Sequence, residues 1–198
     1  EYLLEHKNTL LPKSLGGKRD VQPIVYDKDE WYRYGRSQAI TSLNNRDKII
    51  VGVNRKKDNP LYLMDKNHYL IASGGTAGYV GISLKEDSEY QLEYIHAWLS
   101  HPWTDWYLQS IGSDFEGDFI ARGTYTLPLV PFIKLDFADK KQKELYDQVV
   151  ANTIRIGNLN KELLSKKDKA TQNVLEKEKN RLIKKNEKMI TKVYQQDF

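Results

Sequence analysis

The chain has 198 residues, of which 39% are hydrophobic and 29% charged, with no cysteine and a formal net charge of +4. That balance describes a globular chain with surplus charge, not a disordered one. It excludes disulfides, thiol nucleophiles and cysteine-ligated zinc. No run of about 18 apolar residues occurs, so no transmembrane helix or membrane partner is expected. The start, Glu1 to Glu5, lacks the basic and apolar regions of a signal peptide. With Leu3, Leu4 and Leu10 it reads as the tail of a helix begun earlier, and the chain is expected to be cut from a longer polypeptide. A cysteine-free chain fits a reducing compartment, so a cytoplasmic location is expected.

In chain order, Pro23–Tyr26 is a short strand candidate, and Lys48–Val53 a stronger one with its run of Ile and Val. Asp58-Asn59-Pro60 is a turn. Leu61–Met64 and His68–Ala72 read as strands around a turn at Asp65–Asn67. Gly74–Gly78 is a loop, and Tyr79–Leu84 resumes a strand. Tyr90, Leu92, Tyr94, Ile95, Trp98 and Leu99 recur at the helical period, so Glu89–His101 is expected to be helical until Pro102 breaks it. Thr104–Ser110 is a second short helix, Phe119–Thr126 a strand, and Leu127–Phe132 an extended apolar run.

Composition shifts near Asp136. All 6 prolines, all 4 tryptophans and 11 of 12 glycines precede it. Residues 1–138 carry 16 basic against 18 acidic side chains, and residues 139–198 carry 15 against 9. In the second part Tyr146, Val149, Thr153, Ile156, Asn160 and Leu163 alternate spacings of three and four, continued by Leu175, Leu182, Asn186, Met189 and Val193. Ser165–Asp168 is a turn, with Asp168 or Thr171 as the next N-cap. Two helices of roughly 25 residues, each about 37 Å long, are expected to form an antiparallel hairpin. The expected architecture is mixed α/β (α+β) at 1–138, followed by a C-terminal α-helical hairpin at 139–198.

Glu30-Trp31-Tyr32-Arg33-Tyr34-Gly35-Arg36-Ser37-Gln38 combines aromatics with groups that pair bidentately with bases, Arg with guanine and Gln with adenine. The competing reading packs Trp31 and Tyr34 in a core and pairs Arg36 with an acid. Asn54–Asn59 is a basic tip suited to phosphates, or simply a solvated loop. Ala72–Tyr79 lacks the spacing of a dinucleotide or P-loop site; it is a backbone-rich loop for DNA, or a place where small residues permit close packing. Asn59-Pro60-Leu61-Tyr62 echoes the Asn-Pro-Pro-Tyr box of amino methyltransferases but lacks the second Pro, and is read as a turn. No nuclease cluster or Ser–His–Asp set is evident. His96 and His101 stand five apart, off the metal-binding spacing of four on a helix. No catalytic residue, metal site or cofactor is therefore expected in this chain. The helical tail is a structural or oligomerisation element, with its lysines as a further source of phosphate contacts.

Trp31-Tyr32-x-Tyr34-Gly35-Arg36-Ser37-Gln38, Gly74-Gly75-x-x-Gly78-Tyr79, Trp106-Tyr107-Leu108-Gln109-Ser110-Ile111, then Phe119, Tyr125, Leu127-Pro128-Leu129 and the closing Val193-Tyr194 occur in one order. In that order the chain resembles the TaqI-like C-terminal specificity domain of type IIG restriction-modification enzymes and related adenine-N6 DNA methyltransferases. The resemblance implies a target-recognition domain for double-stranded DNA. It places S-adenosylmethionine, and any Mg²⁺, in upstream methyltransferase and nuclease domains of the same polypeptide, where the adenine is flipped for reaction. On this reading Arg36 and Gln38 read bases, Arg55 and Lys56 contact phosphates, Thr76 and Tyr79 contact DNA from their loop, and Arg122 completes the DNA-binding set. The alternative is a protein-interaction or oligomerisation module whose hairpin binds a partner subunit.

Overall fold

The computed structural model describes residues 1–20, 31–32, 43, 45–69, 78–115 and 117–196. The chain divides into two compact units, Glu1–Ser42 and Leu43–Phe198.

In the first unit, two short helices, α1 (Tyr2–Glu5) and α2 (Lys7–Leu10), meet at His6. They occupy the stretch read as one helix tail. A 3₁₀ turn at Lys13–Leu15 ends on Gly16 at φ 89°. The chain then folds back, with Arg19 N donating to the Leu11 carbonyl at 3.0 Å and Lys13 N to the Arg19 carbonyl at 3.0 Å. A Cβ on Gly17 would fall 1.9 Å from the Leu11 carbonyl oxygen, so only glycine fits this return. Trp31 is buried, and the Lys7 ammonium lies 5.6 Å from its ring centroid. The strand candidate at 23–26 lies outside the described residues.

The second unit opens with β1 (Lys48–Gly52), paired antiparallel with β3 (Tyr62–Asp65) on one side and β4 (Tyr79–Ile82) on the other. As the central strand β1 is buried along its whole length. That explains its continuous apolar run in place of alternation. Its one charge, Lys48, stands opposite Asp65 in the register and meets its carboxylate at 2.7 Å, both side chains fully buried. Burial pushes the Asp65 carboxyl up; Lys48 and the N–H groups of Asn67 and Tyr69 outweigh this and hold it below the ordinary carboxylate range. The strand read at His68–Ala72 does not begin where expected. His68 takes a positive φ of 55°, and Tyr69 N turns back to the Asp65 carboxylate.

A second antiparallel sheet runs β2 (Asn54–Lys56), β6 (Phe119–Ala121), β5 (Asp114–Phe115). The chain passes from the first sheet to the second through Val53 alone. Its N–H donates to the Gly78 carbonyl at 3.0 Å, and its carbonyl accepts from Arg122 N at 2.6 Å. The strand read at Phe119–Thr126 stops at Ala121, and the run after it forms a 3₁₀ turn at Leu127–Leu129.

Helix α3 (Leu92–Leu99) buries Leu92, Tyr94, Trp98 and Leu99 in one core with Ile49, Val51, Val149 and Ile190. Pro102 both ends this segment and starts α4 (Pro102–Ile111), where a proline at the first turn costs no hydrogen bond. His101 caps α4: its Nδ1 accepts from Trp103 N at 3.1 Å, and its Nε2 reaches the Glu187 carbonyl at 3.1 Å.

Helices α5 (Lys140–Ser165) and α6 (Lys169–Gln195) form the expected hairpin. Asp139 caps α5 by accepting from Lys141 N and Gln142 N. Asp168, not Thr171, caps α6, accepting from Thr171 N at 2.7 Å. The hairpin shares a core with the elements before it. Tyr146, Val149, Ile190 and Val193 belong to the same core as α3 and β1. The compositional break at 136–140 thus marks a change of element type inside one compact unit. Near the C-terminus, the Tyr194 hydroxyl accepts from Trp98 Nε1 at 2.8 Å and lies 3.0 Å from Thr104 Oγ1, fastening α6 to the α3–α4 junction.

Candidate nucleic-acid interface

Of the residues expected to meet DNA, Arg36, Gln38 and Thr76 lie outside the described residues. Arg55, Lys56, Tyr79 and Arg122 are described. Three of these sit around the crossing between the sheets. Gly52 pairs with Tyr79 in the first sheet, and two residues later the chain enters β2 carrying Arg55 and Lys56. Lys56 is exposed, Arg55 is half-buried, and Tyr79 is 42% exposed. A Cβ on Gly52 would lie 2.8 Å from Arg55 Cγ, so glycine leaves room for the arginine stem. The basic tip read as a loop at Asn54–Asn59 is therefore a strand over its first half. Arg55 pairs with Ile120 and Lys56 with Phe119, and only Lys57–Pro60 turns. Lys57 is partly engaged, 3.3 Å from the Asp114 carboxylate.

Arg122 does not belong to the contact surface, and its expected role as a DNA ligand is corrected. The side chain is fully buried and its N–H groups are committed inside the protein. Nε donates to Asp105 Oδ1 at 3.1 Å, and Nη2 lies 2.9 Å from the same oxygen. Nη1 reaches the Arg55 and Lys56 carbonyls at 3.3 and 3.5 Å, and Nη2 the Lys57 carbonyl at 3.3 Å. Gln109, one turn after Asp105 on α4, donates to Asp105 Oδ2 at 2.8 Å and to the Lys57 carbonyl at 3.1 Å. The Tyr62 hydroxyl is enclosed beside this group without a hydrogen-bond partner among the described residues, and its pKa is pushed far up by burial and then by the Asp105 carboxylate. Asp105 was not singled out from sequence, and Gln109 was read only as part of the Trp106–Ile111 motif, with no role of its own. Their spacing of four puts them on one helix face, but nothing local says that the face looks toward residue 57.

An apolar cleft of about 620 Å³ is lined by Trp103, Trp106, Tyr107, Val130, Pro131 and Tyr194. It offers ring faces rather than an acid–base pair. Among the described residues no three His, Asp or Glu side chains converge to hold a metal ion. His96 and His101 are each spent on backbone carbonyls, of Tyr62 and Glu187, and burial holds both below the ordinary histidine pKa. No described helix is long and apolar enough to cross a membrane.

The fold and this surface define a mixed α+β unit with a helical hairpin and a short basic strand held from behind by a buried arginine. No protein-family model matches the chain. Over 132 residues it is 38% identical to the type II restriction enzyme and methyltransferase RM.Eco57I of Escherichia coli. That stretch is 67% of this chain and 13% of the length of that protein. The chain is therefore similar to a small part of a restriction-modification protein.

Proposed function

We propose that the chain is the target-recognition part of a restriction-modification polypeptide, reading double-stranded DNA and directing adenine-N6 methylation, and cleavage where a nuclease is present, by catalytic domains elsewhere in the parent. The observation that carries this reading is the likeness to 13% of a protein named both restriction enzyme and methyltransferase. The ordered motifs that resemble a TaqI-like specificity domain support it, as does a short basic strand that carries an exposed lysine. Within this proposal residues 1–138 form the recognition part and 139–198 a helical spacer. S-adenosylmethionine and any Mg²⁺ belong to the other domains. Arg36 and Gln38 read base edges, Arg55 and Lys56 meet phosphates, and Thr76 and Tyr79 contact the duplex.

The test separates the two kinds of contact. In the parent polypeptide, Arg36→Ala should relax the methylated sequence at one position, at a cost of roughly 1–3 kcal/mol in discrimination. Mapping methylated adenines reads this directly. An unchanged target together with an unchanged methylation rate sinks the base-reading role. Lys56→Ala should weaken binding to all duplexes alike and lower the slope of log K against log salt by about one.

A further inference from the structure

One buried guanidinium takes three successive main-chain carbonyls, those of Arg55, Lys56 and Lys57. Gln109 takes the third from a second direction, and Asp105 holds both donors through its two oxygens. The arrangement joins three elements, α4, β6 with its exit at Arg122, and β2, on a stretch of three residues. Burying an arginine carries a desolvation cost that an ordinary short ladder does not need. What it achieves here is a main chain tied by its carbonyls at the point where Arg55 and Lys56 leave it. A planar guanidinium suits this task because its donors point in fixed directions.

We infer that Asp105, Gln109 and Arg122 are positioning residues that hold the main chain of residues 55–57, so that Arg55 and Lys56, on opposite faces of the strand, each present a charge to DNA phosphate from a fixed point. The inference rests on the reading of β2 as a phosphate-binding strand. Arg122 then acts on DNA only through β2, and the half-buried Gln109 is the adjustable member of the set.

The experiment uses the 198-residue chain, a short mixed-sequence DNA duplex and a salt series, with far-ultraviolet circular dichroism to confirm that each variant is folded. Gln109→Ala is the principal variant, because it leaves the Asp105–Arg122 pair in place; Arg122→Lys is the second. Gln109→Ala should weaken binding several-fold and lower the salt slope by about one, as loss of one phosphate contact does. In an Arg55→Ala, Lys56→Ala background the same change should have no further effect, since the charges it positions are gone. An equal loss in both backgrounds overturns the inference, because the effect would not pass through the strand. So does a wild-type salt slope in Gln109→Ala and Arg122→Lys while Arg55→Ala, Lys56→Ala lowers it; the phosphate-binding reading then stands alone. Wild-type binding by Arg55→Ala, Lys56→Ala removes the phosphate-binding reading of the strand, and the positioning role with it.

Discussion

His101 joins three parts of the second unit by accepting from the Trp103 N–H with Nδ1 and donating from Nε2 to the Glu187 carbonyl. Both bonds require the neutral ring with its proton on Nε2. Burial lowers its pKa, and the carbonyl contact opposes this only in part. His96, donating to the Tyr62 carbonyl, is lowered for the same first reason. A histidine depressed in the folded state binds its proton more readily when unfolded. Its contribution to stability is therefore complete above about pH 6.5, the ordinary value, and is lost as pH falls from there toward the lowered folded value. Asp65 does not enter this window, since its carboxyl is held below the ordinary carboxylate range. The thermal midpoint should thus be lower at pH 5.5 than at pH 7.5, with both histidines titrating below about 6.5 by NMR in the folded chain. A midpoint that holds or rises on acidification contradicts the assignment. From sequence, His96 and His101 were judged only as metal ligands, on their spacing. Their role as caps and braces depends on carbonyls 34 and 86 residues away.

Among the elements, the hairpin was the most legible and β2 the least. A seam of apolar residues at spacings of three and four is a local property, and α5 and α6 follow it closely. The register differs in detail: Leu159 is buried where Asn160 was read into the seam, and Ile190 joins the core beside Met189. Polar residues mark the seam too. Asn186, 6% exposed, accepts from Asn152 Nδ2 at 2.8 Å and donates to Thr153 Oγ1 at 3.1 Å. Thr153 in turn donates to the Val149 carbonyl. Such a set favours one helix alignment, because any slip leaves buried groups unpaired. Asn186→Ala should cost about 1–3 kcal/mol in urea unfolding; a loss of a few tenths would show that the network is incidental. β2 was read as a loop because Asn54-Arg55-Lys56 has no apolar pattern. It is a strand because Ile120 and its neighbours on β6 supply the ladder from 65 residues downstream.

At the scale of the whole chain, the apolar seam of the hairpin is already used. α5 packs on α6 and on α3, and Tyr194 ties the C-terminus to Trp98 and Thr104. The isolated chain should accordingly sediment as a monomer of 23.1 kDa. A stable dimer through residues 139–198 would favour the partner-binding reading and would direct attention to Leu164 and Val174, which stay exposed on the hairpin.

Sequence by itself determined the central apolar strand, the two short helices split at Pro102, and a hairpin turning at Asp168. Each follows from local physics, namely side-chain periodicity, proline geometry and capping. It also supplied the ordered motifs behind the proposed function. Only the tertiary structure decided which way the charges face. Lys48 turns inward because the register places Asp65 opposite it, and Arg122 turns inward because Asp105 and the carbonyls of 55–57 surround it. Those partners stand 17 residues away from each arginine or lysine in both ion pairs, and 67 away for the Arg55 carbonyl. Contacts over such separations are set by topology, and composition alone does not distinguish an arginine that touches DNA from one that holds the strand that does.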